Sequence, residues 1–126
     1  MFHSLRASHL AIRIGLALVF LWFGADKFIH PQYWADAWLP QNLADLAVRA
    51  GMSVRDLMFL NGIFEVLVAV SLLSGFFIRT FASLATLFLI TVSLVHLRGA
   101  TEIVIRDVGL MGGLVALILW PERTGW

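Results

Sequence analysis

The stretch LMFLNGIFEVLVAVSLL, residues 57–73, decides the fold. It is apolar at nearly every position, and a helix rising ~1.5 Å per residue over about this length approaches the ~30 Å hydrocarbon thickness of a bilayer. One ionisable group, Glu65, lies inside it. A carboxylate in hydrocarbon is costly, so it must face protein rather than lipid, and its default reading is functional. Ser53 followed by Asp56 has the spacing of a reciprocal cap at the start of this helix, and Gly75 permits a tight reversal after its end.

Three further runs share this character. The first spans about Leu10 to Ile29 and is stopped by Pro31, which removes a backbone donor and drives the preceding residue away from helical angles. The third runs from about Arg79 to Leu97 and ends at Gly99. The fourth runs from about Glu102 to Trp120, with Thr101 as its cap and Pro121 as its stop. Of the 126 residues 60% are hydrophobic and only 13% charged, more apolar surface than one small water-soluble core can hide. The basic start at His3, Arg6 and Arg13 has no small-residue cleavage site after it and reads as a retained first helix.

The expected fold is therefore all-α, an integral membrane four-helix antiparallel bundle forming one domain over residues 1–126, with spans at about 10–29, 57–73, 79–97 and 102–120. Residues 32–52 are too polar to cross. Tyr33, Trp34 and Trp38 suit a membrane interface, while Leu43, Leu46, Ala47 and Ala50 share a face and Gly51 can end a turn. Here the pattern predicts one short amphipathic helix lying on the bilayer, with Asn42 and Asp45 as its N-terminal cap pair. Basic residues barely separate the two sides, but every acidic residue except Glu122 falls on the side of this lid. The expected location is the plasma (inner) membrane, multi-pass, with cytoplasmic termini.

The formal charge of +1, with no basic tract interleaved with aromatics, argues against nucleic acid as a partner. With no cysteine, the chain cannot run a thiol relay or ligate an iron–sulfur cluster through its own thiols. His30 and His96 lack partners at helical spacing for haem ligation, and no zinc-ligand spacing is present, so no metal site and no intrinsic cofactor are expected.

Alternating helix directions bring the end of span one, the start of two, the end of three and the start of four to one membrane face. Nearly all the polar residues lie there: Asp26 and Lys27, Asn61 and Glu65, His96, and Arg106 with Asp107. An ionised Glu65 needs a cation, and Lys27 or Arg106 can supply it. Gly109 and Gly113 follow Arg106 along span four and would let that face approach another helix closely. Ser83, Thr86, Ser93 and His96 form a mild polar stripe on span three, while Gly15, Trp22 and Asp26 form one on span one, with Trp22 placed to wall a pocket. A purely structural use remains open, because embedded ion pairs can lock helix register without binding anything.

These residues carry a resemblance to the DoxX-like membrane proteins, a family that includes the small subunits of thiosulfate:quinone oxidoreductases. The segment from Arg13 through Gly24 to Lys27, the Gly62-Ile63-Phe64-Glu65 helix, the turn from Gly75 to Arg79, and the opening Arg106-Asp107-Val108-Gly109-Leu110-Met111-Gly112 resemble the family's motifs in order and spacing along essentially the whole chain. The resemblance implies a four-helix bundle and association with quinone-linked oxidation of small sulfur compounds. On that reading the chain is a membrane-embedded subunit of a quinone-linked oxidoreductase system. Glu65, Arg106, Asp26 and Lys27 are its chemical residues, and Trp22, Trp34, Asn61, His96 and Asp107 its ligand-binding ones. Expected partners are the lipid bilayer, a quinone or similar apolar ligand, a soluble redox subunit and a second copy of the chain. Two other readings stay open: a non-catalytic subunit that docks a partner, and a proton-coupled transporter.

Overall fold

The computed structural model describes residues 2–39, 41–95 and 101–121, and among these there are six helices and no strand. α1 (Phe2–Ile29) and α4 (Val54–Ser74) are joined by α2 (Pro31–Trp38) and α3 (Gln41–Arg49), and α5 (Ile78–Val95) and α6 (Thr101–Ile118) follow. Pro31 ends α1 as expected but also starts α2. At the first position of a helix its missing N–H costs nothing, and its fixed φ suits the first turn. Two helices thus stand where one was predicted.

α3 begins at Gln41, so Asn42 lies inside it rather than capping it, and Gln41 donates a side-chain hydrogen bond to Asp45 at 2.9 Å. Gly51, at φ 83°, ends this segment in the left-handed conformation that glycine adopts freely. Ser53 caps α4 by accepting from the Asp56 amide at 3.1 Å, and Gly75, at φ 87°, closes it with its N–H on the Ser71 carbonyl.

Each of the four long helices packs antiparallel to its neighbours, in the order α1, α4, α5, α6 and back to α1. Arg13 meets Leu72 while Gly24 meets Gly62 across α1 and α4. Across α1 and α6, His9 lies against Trp120, Leu16 against Gly113 and Phe23 against Arg106. The Arg79 guanidinium, at the start of α5, donates to the Trp120 carbonyl just beyond α6 at 2.6 Å. Arg13 donates likewise to the carbonyls of Leu72 and Leu73, at 2.7 and 3.2 Å. Two arginines thus satisfy carbonyls that a helix end leaves without intrahelical partners.

Leu16, Phe20, Val68, Leu72, Leu89, Leu114 and Leu117 form the core, drawn from all four long helices. Leu18, Leu67, Val70, Leu87, Val108 and Leu119 point outward and are exposed. A surface this apolar is that of a protein solvated by lipid. By length and composition α1 over Leu5–Ile29 and α4 suffice to cross a membrane, and the apolar part of α5, Ile78–Leu94, is shorter.

The closest approach between helices was not the one the sequence suggested. A methyl group on Gly24 or on Gly62 would come within 2.9 Å of the other's carbonyl oxygen, so α1 and α4 touch backbone to backbone. Gly109 has nothing within that reach, and Gly113 only the side chain of Leu16. Contact depends on which way a glycine faces after packing, and spacing within one helix does not reveal that.

Candidate functional site

The tightly packed core occupies the half of the molecule nearer the Gly75 turn, and the other half encloses a cavity of about 480 Å³. α1, α4, α5 and α6 form its walls. α3 and the turn after it roof it with the apolar face predicted from sequence, through Leu43, Leu46, Ala47 and Ala50. Trp34 of α2 closes one flank. It is held there by a small cluster with Ala35 and Met58 and by the edge of Phe23, 5.5 Å away between ring centroids.

The lining is apolar apart from a few groups, chiefly Lys27, Asn61, Glu65, Arg106 and Asp107. Lys27 forms a salt bridge with Glu65, and both are withdrawn from solvent, at 12% and 3% exposure. Glu65 sits at the Gly24–Gly62 contact, its Cβ 3.1 Å from where a methyl group on Gly24 would stand, and the two glycines let α1 come close enough for a lysine near its end to reach the carboxylate. The Lys27 ammonium also lies 5.0 Å from the centre of the Trp34 ring, a cation–π distance.

Arg106 pairs with its neighbour Asp107, at 3.1 Å from Nη2 and 3.3 Å from Nε, and its guanidinium lies 4.8 Å from the Phe23 ring centre. Adjacent residues on a helix do not face each other, so the Arg106 side chain has to curl back to reach a carboxylate that is itself fully buried. Of the two cations offered to Glu65 by the sequence, Lys27 makes the direct contact, and Arg106 shares the cavity wall.

Asp26 does not line the cavity. Its carboxylate accepts from Trp34 Nε1 at 2.8 Å and meets His30 Nδ1 at 3.0 Å, bracing α2 against the end of α1 and so fixing the orientation of Trp34. Asn61 lines the wall and donates to the Leu57 carbonyl one turn back at 3.2 Å. Trp22 is a correction: it is 68% exposed and points away from the cavity. The stripe of α1 that faces inward is Val19, Phe23 and Lys27, rotated by one residue from the Gly15, Trp22 and Asp26 line. A row ending at Lys27 instead of Asp26 would have found Phe23 from the sequence.

On α5, Ser83, Thr86 and Ser93 do not line the cavity, and the Thr86 hydroxyl returns to the Ala82 carbonyl of its own helix at 2.7 Å. Thr91 and Val92 meet the cavity instead. His96 and Gly99 lie outside the described residues.

Described residues that are helical without a strand, an apolar exterior and paired charges facing inward make this a membrane protein by its architecture. A family model, DoxX, matches residues 8–98, well over half of the chain, and the chain belongs to that family. The matched stretch includes Arg13, Lys27, Glu65 and the Gly75 turn and stops before α6, so the likeness at Arg106 and Asp107 lies beyond it. No curated protein and no solved structure matches the chain.

Proposed function

We propose that this DoxX-family protein crosses the membrane with all four long helices and holds a quinone or similar flat apolar ligand beneath α3, as a component of a quinone-linked oxidoreductase system. The observation that carries this is the cavity itself. Its volume of about 480 Å³ lies within the ~300–1,000 Å³ usual for small-molecule sites, and its apolar walls carry a few convergent charged groups. That lining fits a flat apolar ring with polar oxygens.

A bound quinone supplies two-electron, two-proton chemistry. The residues around it supply position and protons. Trp34 and Phe23 wall the ring, Lys27 and Arg106 offer N–H donors to a carbonyl oxygen, and Glu65 is the group able to hold or release a proton within the cavity. Breaking the Lys27–Glu65 bridge frees both groups for such contacts. With no cysteine in the chain, no thiol relay delivers the electrons, and they come from a cofactor, a substrate or a partner subunit. The location that fits is an inner membrane with cytoplasmic termini.

Mass spectrometry of lipid extracts from the purified protein tests this reading. Co-purifying quinone should be retained by the parent and fall severalfold in Glu65→Gln and Arg106→Ala. Absence of quinone from the parent, or equal retention by both variants, would overturn it.

A second reading draws on the pairing itself. Lys27 with Glu65, Arg106 with Asp107 and Arg13 with α4 would equally serve a purely architectural subunit that docks a partner. A stable detergent-resistant companion, together with a quinone-free extract, would favour it.

A further inference from the structure

The four seams of the helix ring are not closed alike. α1 and α4 meet backbone to backbone at Gly24 and Gly62, and α1 and α6 are filled by Leu16 against Gly113 and by the Phe23–Arg106 stack. α4 with α5, and α1 with α6, pack far more sparingly than α1 with α4 or α5 with α6, and of these two sparse seams it is α4–α5 that bears an outward groove. α4 and α5 leave the Gly75 turn together, and about 15 Å along, at ~1.5 Å per residue, the rings of Phe64 and Phe88 meet, with centroids 5.4 Å apart. Two phenyl rings between helices hold them apart where small side chains would let them close.

The result is an outward groove of about 320 Å³, lined by Leu57, Leu60, Asn61, Phe64, Leu84 and Phe88. Leu57, Asn61 and Phe88 also line the main cavity, so the groove and the cavity adjoin across the same side chains. Apart from Asn61 at the junction, every lining residue is apolar. With α3 over the cavity, this groove is where the cavity lining continues to the outward face of the bundle.

We infer that the α4–α5 groove holds the apolar tail of the ligand whose head occupies the cavity, so that the ligand is an isoprenoid- or acyl-tailed molecule entering sideways from the bilayer. The inference rests on the cavity being a ligand site, as proposed above, and adds the ligand's class and path. The head would meet Glu65, Lys27 and Arg106, Asn61 would mark the point where polar head gives way to tail, and Leu60 and Leu84 would flank the chain at the protein surface.

The test is photolabelling in phosphatidylcholine–phosphatidylglycerol liposomes with a benzoquinone that carries a diazirine on an alkyl tail, followed by peptide mapping. Adducts should concentrate on Leu60, Leu84 and their neighbours and fall at least about fivefold when excess tail-free benzoquinone competes for the head site. They should fall similarly in Leu84→Trp and Leu60→Trp. Both leucines are about half exposed, at 45% and 51%, so a larger side chain there plugs the groove without entering the core.

Adducts spread evenly over outward residues such as Leu18, Leu67 and Leu87, or competed adducts at another seam, would overturn the tail path. Competed adducts at another seam would leave the cavity reading standing. Labelling that no tail-free quinone can compete would sink the cavity reading together with the inference. A dimer that Leu84→Trp converts to monomer, with labelling unchanged, would assign the groove to a second copy of the chain and overturn the proposal.

Discussion

The Lys27–Glu65 bridge sets up a double-mutant cycle whose outcome follows from its burial. Lys27 is 12% exposed and Glu65 3%, and both face an apolar cavity. Removing one partner from such a pair strands the other charge in a medium that cannot solvate it, which costs about 3–5 kcal/mol. Removing both and leaving apolar side chains of similar volume is close to neutral. Lys27→Met and Glu65→Met should therefore each destabilise by roughly 3 kcal/mol or more, while the double variant should lie within about 1 kcal/mol of the parent, a coupling of about 5 kcal/mol. Methionine suits both positions because its flexible chain fills irregular space. Unfolding titrations in mixed micelles, followed by tryptophan fluorescence, give the four free energies. If the two single costs simply add in the double variant, to within about 0.5 kcal/mol, the groups act independently and the bridge is not the element that joins α1 to α4. The same variants separate stability from ligand handling, since a folded double variant that retains no quinone would tie these charges to binding.

Three further outcomes are expected. Gly24→Ala and Gly62→Ala each place a methyl group 2.9 Å from the facing carbonyl and should cost about 1–3 kcal/mol, whereas Gly15→Ala and Gly109→Ala, with open space at the added carbon, should be neutral or slightly stabilising in the same titration. Arg13→Met removes the donors on the carbonyls of Leu72 and Leu73 and should cost about 2–3 kcal/mol. Arg13→Lys should recover only part of this, because a single ammonium cannot reproduce the forked pair of contacts, and hydrogen exchange at the end of α4 should rise in both. Trp34→Phe keeps an aromatic ring but loses the bond to Asp26, so it should cost about 1 kcal/mol and lower quinone retention, while the same change at exposed Trp22 should alter neither by a measurable amount.

Much of the helical framework was legible because local chemistry and hydropathy encode it. Long apolar runs broken by Pro31, Gly75 and Pro121 mark helices whatever surrounds them, and Ser53, Gly51 and Gly75 act through their own backbone neighbourhoods. The roof was readable too, since Leu43, Leu46, Ala47 and Ala50 share a face at helical spacing and that face turns to the cavity. Connections too short to let neighbouring long helices run parallel impose alternating directions, which is why residues as far apart in sequence as Lys27 and Glu65 come to one end of the molecule.

What the sequence by itself determined, then, was that this chain is helical, apolar on its outside, and polar at one end. Only the tertiary structure decided rotation about each helix axis. A one-residue difference in facing, equal to about 100° on a helix, turns Trp22 outward and Phe23 inward, and packing makes Gly24 with Gly62, rather than Gly109, the point of closest approach. It also assigned Lys27 to Glu65 and Arg106 to Asp107, a choice that depends on side-chain reach across packed helices. Periodicity within one helix fixes which residues share a face, but the partner that a face meets is set by packing among all four.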